Sequence, residues 1–381
     1  MRAGSVESLS EHPTLSERAH RDRKKGYIPT LDGWRAVAIA WVLLGHAQQW
    51  SFGWFSLRST FQTGGHGVEL FFALSGFLIC TRLLREETSS GSISLKSFYT
   101  RRLFRIQPAA LTYLAVVVLL GSAGVIALYL RGVFGAALMI RNLWPPPPAP
   151  GYWYTAHFWS LAVEEHFYLL LPGFLVLCRR RRLTILSLTI IGLEIWRFIV
   201  FAHPALQQFG ILIYLRTDVV LDDILLGSLF AVALTRVSFR SLAERWLRPW
   251  VALLYTATVF TELAVHTSRF DHPLLISVYP ILITATVFHP DTWLGRLLEF
   301  APVRFVGRIS YSLYLWQELF LDPFNKFPAH SFRSHNSLAW TAAIACAVAS
   351  YFLVEKPLIK VGHRLAKRFD RAPRQNPQPA T

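Results

Sequence analysis

The sequence predicts an all-α, polytopic membrane protein with about ten transmembrane helices. Of its 381 residues, 53% are hydrophobic and only 16% are charged, whereas about 25% are charged in an ordinary soluble domain. Apolar stretches long enough to cross about 30 Å of hydrocarbon recur along most of the chain. A formal net charge of +16 would suggest a nucleic-acid partner for a soluble protein, but this composition points to a lipid bilayer. We therefore expect membrane lipid, and no nucleic acid, as a partner.

The basic residues support this topology because Lys and Arg collect in cytoplasmic loops. With both termini cytoplasmic, 29 of the 39 Lys and Arg residues lie on the cytoplasmic side, 7 lie on the opposite side and 3 lie within spans. This asymmetry favours an even number of spans. The ten predicted spans, with approximate boundaries, are 33–51, 67–84, 109–130, 157–178, 183–202, 217–235, 249–267, 273–289, 305–321 and 337–355.

Three regions follow from the composition. Residues 1–30 form a polar, basic arm without the apolar region of a secretory signal, and we expect it to be cytoplasmic and mostly disordered. Residues 31–358 form the membrane domain. Residues 359–381 are basic and then rich in Pro and Gln, as in a cytoplasmic tail that is disordered or lies on the anionic inner leaflet. The three cysteines lack metal-type spacing, so neither a disulfide framework nor a metal site is expected.

The first predicted span carries an arginine and a histidine eleven residues apart. At about 100° and 1.5 Å per residue, Arg35 and His46 share one helix face and lie about 16 Å apart along the axis. An ionisable side chain in a span costs several kcal/mol unless it is paired or lines a wet cavity. We therefore expect a functional His46 deep in the membrane, with Arg35 near the cytoplasmic mouth. A satisfied structural histidine is the alternative.

Acidic residues in two other spans are further candidates. Glu69 lies near the outer end of the second span, and Glu164 and Glu165 are adjacent near the outer end of the fourth. Neighbouring residues on a helix point about 100° apart, so only one of the pair need face a given partner. A structural pairing with an arginine or with a neighbouring helix is the alternative for one of them.

Three arginines lie just inside the membrane before Pro108, where we expect the third span to start. Arg101 and Arg105 are four residues apart and share a helix face, and Arg102 lies beside them. Guanidinium groups at this spacing suit a phosphate-bearing cytosolic ligand. Retention of positive charge on the cytoplasmic side explains the same run equally well.

Five motifs in this order resemble acyltransferase family 3, a family of polytopic membrane acyltransferases. They are the Arg and His of the first span, Phe-Phe-x-x-Ser-Gly-Phe in the second, Arg-Arg-x-x-Arg-Ile-x-Pro before the third, Trp-Ser-Leu-x-x-Glu-Glu-x-Phe-Tyr-x-x-x-Pro in the fourth and Ser-Tyr-Ser-Leu-Tyr-Leu-Trp in the ninth. The resemblance extends from about Tyr27 to Pro357. It is more specific than any single motif.

The resemblance implies transfer of an acyl group, often acetyl, from cytosolic acyl-CoA to a hydroxyl of a saccharide or similar envelope acceptor. It implies a multi-pass protein of the bacterial inner membrane with no permanently bound cofactor. By position in the motifs, it marks Arg35 and His46 as essential, with His46 as the base. It also marks Arg101, Arg102 and Arg105, and we expect these three arginines, together with Arg35, to bind acyl-CoA.

Other residues of the motifs complete the predicted site. Glu164 or Glu165 would orient His46, and Glu69, Trp159 and Ser160 would contact substrate. Two positions depart from the family pattern. His166 stands where many members have Gln, and Gln317 stands where His is common, so neither is assigned a chemical role.

A proton-coupled transporter or flippase for an anionic or lipid-linked substrate is the competing class. In that class His46 and the carboxylates would relay protons without making a bond. Broken helices in both halves of the chain would favour a transporter, and the sequence shows no such pair of interruptions. The sequence leaves open the acceptor, the acyl length, the oligomeric state, direct transfer or an acyl-enzyme, and which of the adjacent carboxylates faces His46.

Overall fold

The computed structural model describes residues 27–47, 49–52, 55–58, 61–143, 151–203, 215–265, 272–321 and 336–371. Helices dominate these ranges, and one short antiparallel hairpin, in which Gln49 pairs with Arg58, follows the first helix. The elements are α1 (Pro29–Ala47), β1 (Gln49–Phe52), β2 (Phe55–Arg58), α2 (Phe61–Ser90), α3 (Leu95–Ser122), α4 (Leu130–Ala137), α5 (Phe158–Leu177), α6 (Arg182–Ala202), α7 (Thr217–Ala233), α8 (Val237–Trp246), α9 (Pro249–Val265), α10 (His272–Phe288), α11 (Trp293–Glu299), α12 (Ala301–Phe320), α13 (Asn336–Ser350), a π-helical turn (Tyr351–Glu355) and α14 (Lys356–Arg371).

A helix overlaps each of the ten predicted spans. Within the described ranges, five helical segments are long and apolar enough to cross a membrane on their own. A sixth is added if α10 and α11, which meet at a bend of 92°, count as one span. The prediction of membrane-type helices is therefore confirmed, whereas the count of ten and the cytoplasmic placement of both termini stay predictions.

The helix of the third predicted span begins earlier than the span itself. We expect the span to start after Pro108, whereas α3 begins at Leu95 and passes through Pro108 without interruption. Proline is tolerated inside membrane helices because neighbouring groups satisfy the freed backbone atoms. The helix ends at Ser122, ahead of Gly124, whose φ of +72° is left-handed. The three arginines before Pro108 therefore lie on the same helix as the predicted span, in agreement with the helix face expected for Arg101 and Arg105.

Two glycines bring α2 and α7 into backbone contact. A Cβ atom built on Gly76 would lie 2.0 Å from the carbonyl oxygen of Ile224, and one built on Gly227 would lie 2.2 Å from the carbonyl oxygen of Ala73. Small residues permit such close approach between membrane helices. This crossing holds α2, which carries one wall of the central cavity described below, against α7.

We expect Gly76→Val to destabilise the protein by about 1–3 kcal/mol, the usual cost of overpacking a filled interior. The measurement is the thermal unfolding midpoint of the purified protein in detergent. Gly192→Val in α6 is the matched control, because a Cβ at Gly192 meets no atom within 4 Å. Equal unfolding midpoints for the two variants would show that the stability of the protein does not depend on the close contact between α2 and α7.

The last described helix, α14, packs against α3. The Ser97 hydroxyl donates to the carbonyl oxygen of Ala366 at 2.9 Å, and Gly362 lies against Phe104. The first part of the predicted basic tail is therefore the helix α14, packed along the first half of α3. The predicted N-terminal arm up to residue 26 and the tail from residue 372 lie outside the described residues.

Candidate active site

A cavity of about 730 Å³, including its open mouth, lies among α1, α2, α3, α5 and α12. Its wall combines three arginines and two glutamates with hydroxyl and aromatic side chains. The lining residues are Arg35, Val68, Phe71, Phe72, Ser75, Arg102, Arg105, Ile106, Ser160, Leu161, Glu164, Glu165, Tyr168, Ser310, Tyr311 and Tyr314. Five elements that are distant in sequence thus place opposite charges around one space.

The beginning of α1 fixes the first arginine of the cavity. The Arg35 guanidinium lies 3.3 Å from the carboxylate of Asp32, one turn earlier on the same helix. Asp32 is buried and also accepts a hydrogen bond from the Tyr27 hydroxyl. Arg35 keeps 20% of its side chain exposed, so Asp32 anchors the guanidinium without closing it off from the cavity.

The helix α3 contributes Arg102 and Arg105, but not Arg101, to the cavity wall. Arg102 lies over the ring of Tyr168, 4.6 Å from its centroid. Arg105 makes no hydrogen bond with the residues that the structure describes. Arg101 instead donates to Ser97 at 3.0 Å and forms an ion pair with Glu86 at 3.2 Å. Of the three predicted donor-binding arginines, two therefore meet Arg35.

The two adjacent glutamates both line the cavity but are held differently. Glu164 accepts hydrogen bonds from Ser75 at 2.8 Å and from Tyr168 at 3.1 Å. Glu165 has a buried carboxylate oxygen, Oε1, with no hydrogen bond among the described residues. A buried carboxylate oxygen that accepts no hydrogen bond destabilises the protein unless a bound ligand donates a hydrogen bond to it. The cavity thus offers an acceptor to a bound hydroxyl or amide.

His46 lies near the end of α1 and does not line the cavity. Its Nδ1 is 2.7 Å from Oε1 of Gln317, and its ring packs edge-on against Trp153 with centroids 5.3 Å apart. An amide oxygen only accepts hydrogen bonds, so this contact favours the tautomer with a proton on Nδ1. In that tautomer Nε2 carries the lone pair that a general base needs. Neither of the predicted orienting residues, Glu164 and Glu165, has a contact to His46 among those the structure describes.

A buried polar network connects the cavity wall with the part of α12 that contacts His46. Ser160 and Tyr314 line the cavity, with their hydroxyl oxygens 2.6 Å apart, and Tyr314 donates to the backbone carbonyl of His157 at 3.0 Å. The ring of His157 lies 2.6 Å from the carboxylate of Glu318. Glu318 follows Gln317, the residue that contacts His46, on α12. The cavity and His46 are therefore stacked along α12, one helical turn apart.

Two further predicted site residues lie elsewhere. Glu69 accepts hydrogen bonds from Tyr279 at 2.6 Å and from His66 at 3.1 Å, and it does not line the cavity. Trp159 packs edge-on against Phe72 in the wall, with centroids 5.9 Å apart. Its neighbour Ser160 does reach the cavity.

Sequence reasoning missed several of the groups that build this site. Tyr168 follows Glu164 by four residues, and this one-turn spacing was a usable signal for a shared face. The residues Ser310, Tyr311 and Tyr314 were visible only as part of a motif. The contacts of His46 with Gln317 and of His157 with Glu318 join residues 271 and 161 positions apart, and no pattern in one sequence predicts such pairs.

Comparisons with known proteins agree with the predicted resemblance. The family model described as an acyltransferase domain, of acyltransferase family 3, matches residues 28–355. The chain is 29% identical over 372 residues to "Putative O-acetyltransferase SACOL0978" of Staphylococcus aureus (strain COL), covering 89% of this chain and 58% of the relative. It is 28% identical over 326 residues to "Peptidoglycan O-acetyltransferase OatA" of Listeria monocytogenes, covering 76% of this chain and 49% of the relative. No solved structure matches significantly.

The fold has membrane-type helices and encloses a charged cavity. These two features define the class of protein as a polytopic membrane protein with an internal site. The chain belongs to acyltransferase family 3, because the family model covers nearly its whole membrane region. The predicted family is thereby confirmed. The chain spans about half the length of the curated relatives it matches.

Proposed function

We propose that this protein is an O-acyltransferase that moves an acyl group from cytosolic acyl-CoA to a hydroxyl of an envelope saccharide. The observation that carries the proposal is the cavity, in which Arg35, Arg102 and Arg105 from two helices face the carboxylates of Glu164 and Glu165. The family supports acyl transfer. The names of the relatives, which include a peptidoglycan O-acetyltransferase, support an acetyl group and a cell-wall saccharide acceptor.

The arginines are suited to the phosphates of the donor. Arg35, Arg102 and Arg105 line one cavity, so their positive charges lie close together. Such a concentration of guanidinium groups is stabilised by a multiply charged anion, and guanidinium forks match phosphate geometry. The nucleotide phosphates of acyl-CoA would bind at this mouth, with the slender pantetheine arm in the cavity.

Transfer then requires a base beside the thioester, at the end of the pantetheine arm away from the phosphates. His46 would take the proton of the acceptor hydroxyl on Nε2 while Gln317 holds Nδ1. The acceptor oxygen attacks the thioester carbonyl, the C–S bond breaks, and the thiolate of CoA leaves with the proton that His46 has gained. Because His46 is one turn beyond Tyr314, the thioester must pass the hydroxyl groups of Ser160 and Tyr314.

The layout predicts transfer across the bilayer. In sealed vesicles of known orientation, radiolabel from acetyl-CoA on the cytoplasmic face should appear on a saccharide acceptor confined to the opposite face. The physical reason is that the arginines lie near the predicted cytoplasmic side, whereas His46 lies about 16 Å further along α1. Vesicles lacking the protein are the control. Label found only on acceptor in the donor's compartment would contradict the trans-bilayer route but not acyl transfer itself.

A further inference from the structure

A second polar cluster lies away from the cavity, where α6, α7 and α10 meet. Glu194 comes from α6, Asp222 from α7 and His272 from the first position of α10. One oxygen or nitrogen of each side chain lies within 4.8 Å of the others. The acyl-transfer proposal uses none of these residues, although they are ionisable and belong to helices of the membrane domain.

The spacing of these atoms is compatible with ligands around one ion. His272 Nδ1 lies 3.2 Å from Oε1 of Glu194, a hydrogen bond when Nδ1 carries the proton, and 3.7 Å from Oδ2 of Asp222. Nitrogen and oxygen ligands lie about 2.1 Å from a zinc ion, so the ligands of a tetrahedral site are roughly 3.4 Å apart. The three groups therefore surround a space of the right size for a metal ion.

A buried, unsatisfied oxygen points into this space. Asp222 is fully buried, and its Oδ2, the atom that faces His272, accepts no hydrogen bond from the residues that the structure describes. The carboxylates of Asp222 and Glu194 approach each other, and an ionised carboxylate has no donor to offer its neighbour. A positive charge between them would satisfy both.

Two charged groups lie beside the ligands. His272 Nε2 lies 3.2 Å from Oδ1 of Asp223, although the two are not aligned for a hydrogen bond, and Arg197 donates to Oδ1 of Asp222 at 2.7 Å. A histidine that binds metal through one ring nitrogen commonly donates the other N–H to a carboxylate. With its proton on Nε2, His272 directs the lone pair of Nδ1 at Glu194 and Asp222.

Acidic side chains outnumber basic ones around this space. Arg197 lies 2.7 Å from Asp222 and 3.7 Å from Asp223, and it is the arginine that contacts these carboxylates among the described residues. The nearby Arg216 forms a separate ion pair with Asp218 at 2.9 Å.

We propose that Glu194, Asp222 and His272 bind a divalent transition-metal ion of the zinc type, with Asp223 and Arg197 as orienting partners. The metal would tie together three helices near the predicted non-cytoplasmic side. The cysteines play no part, so the expectation of no metal site, which rested on cysteine spacing, did not consider this cluster. The proposal stands independently of the acyl-transfer reaction.

The test is the zinc content of the purified full-length protein after dialysis against Zn²⁺, measured by mass spectrometry. We expect one equivalent of zinc in the wild type. His272→Ala and Glu194→Gln should weaken Zn²⁺ binding by more than 100-fold, because each removes a ligand, and Asp223→Asn by about 10- to 100-fold, as expected for an orienting partner. These variants keep the ion pair of Asp222 with Arg197. A chelator should lower the unfolding midpoint of the wild type but not that of His272→Ala.

Matched controls come from an exposed carboxylate and a histidine in another part of the chain. Glu244, which pairs with Arg240 at 2.8 Å, and His289 should be replaceable by Gln and Ala without loss of zinc. A wild type that holds no zinc above the detergent blank would overturn the proposal. Equal zinc in His272→Ala and the wild type would overturn it as well, as would Ca²⁺ binding that is as strong as Zn²⁺ binding and unaffected by loss of His272.

Discussion

Replacement of His46 by Ala is expected to lower the rate of acyl transfer by 10²- to 10⁴-fold, the usual contribution of a general base. The reason is the position of His46 one turn beyond the cavity, where Gln317 holds Nδ1 at 2.7 Å and leaves proton transfer to Nε2. The measurement is acetyl transfer to a saccharide acceptor, with expression and thermal unfolding midpoint determined in parallel.

His166→Ala is the matched control for this variant. His166 is also a half-buried histidine of the membrane domain, but it contacts Thr217 at 2.8 Å and does not line the cavity. We expect this control to keep its transfer rate within a few-fold of the wild type. If His46→Ala also stays within threefold of the wild type, His46 is not the base.

Replacement of Arg105 by Ala is expected to weaken acetyl-CoA binding by about 10- to 100-fold, the range of a lost hydrogen bond to a charged group. Arg105 lines the cavity and makes no hydrogen bond to the described residues, so its guanidinium is available to a phosphate. Affinity for acetyl-pantetheine, which lacks the nucleotide phosphates, should change much less. The measurement is the dissociation constant of each donor.

Arg101→Ala separates phosphate binding from a general effect of positive charge. Arg101 lies on the same helix but is held by Ser97 and Glu86 outside the cavity, so its loss should affect acetyl-CoA binding less than the loss of Arg105. Equal weakening of both donors by Arg105→Ala would contradict phosphate docking. Equal effects of the two arginine variants on acetyl-CoA would assign the effect to overall charge.

The helical fold was largely predictable, because a segment that crosses lipid must be apolar over its whole length. The continuity of α3 was not predicted, since proline is usually found at the beginning of a helix, whereas Pro108 lies inside this one. Helices of the interior, such as α12, carry Arg308 and Glu318 and therefore look less apolar than helices that face lipid.

The candidate site was predictable in part, for a similar reason. Arg35 and Glu164 stood out because charge in a span is costly, and Arg102 and Arg105 stood out by their place in a family motif. The structure brings all four to one cavity. Their partners could not be predicted, since the pairing of His46 with Gln317 depends on how α1 and α12 pack. Glu69 stood out equally, yet it bonds to Tyr279 outside the cavity.

The continuity of α3 has a consequence for the length of the donor. The same helix carries Arg105, in the cavity wall, and Tyr113. The ring of Tyr113 lies 5.3 Å from that of His157, which belongs to the buried polar network. Eight residues separate Arg105 from Tyr113, so they stand about 12 Å apart along one axis. If the phosphates of acyl-CoA bind at Arg105 as proposed, this helix would set the distance that the donor must span to bring its thioester to His46. The length of the donor would then matter as well as its phosphates and its thioester.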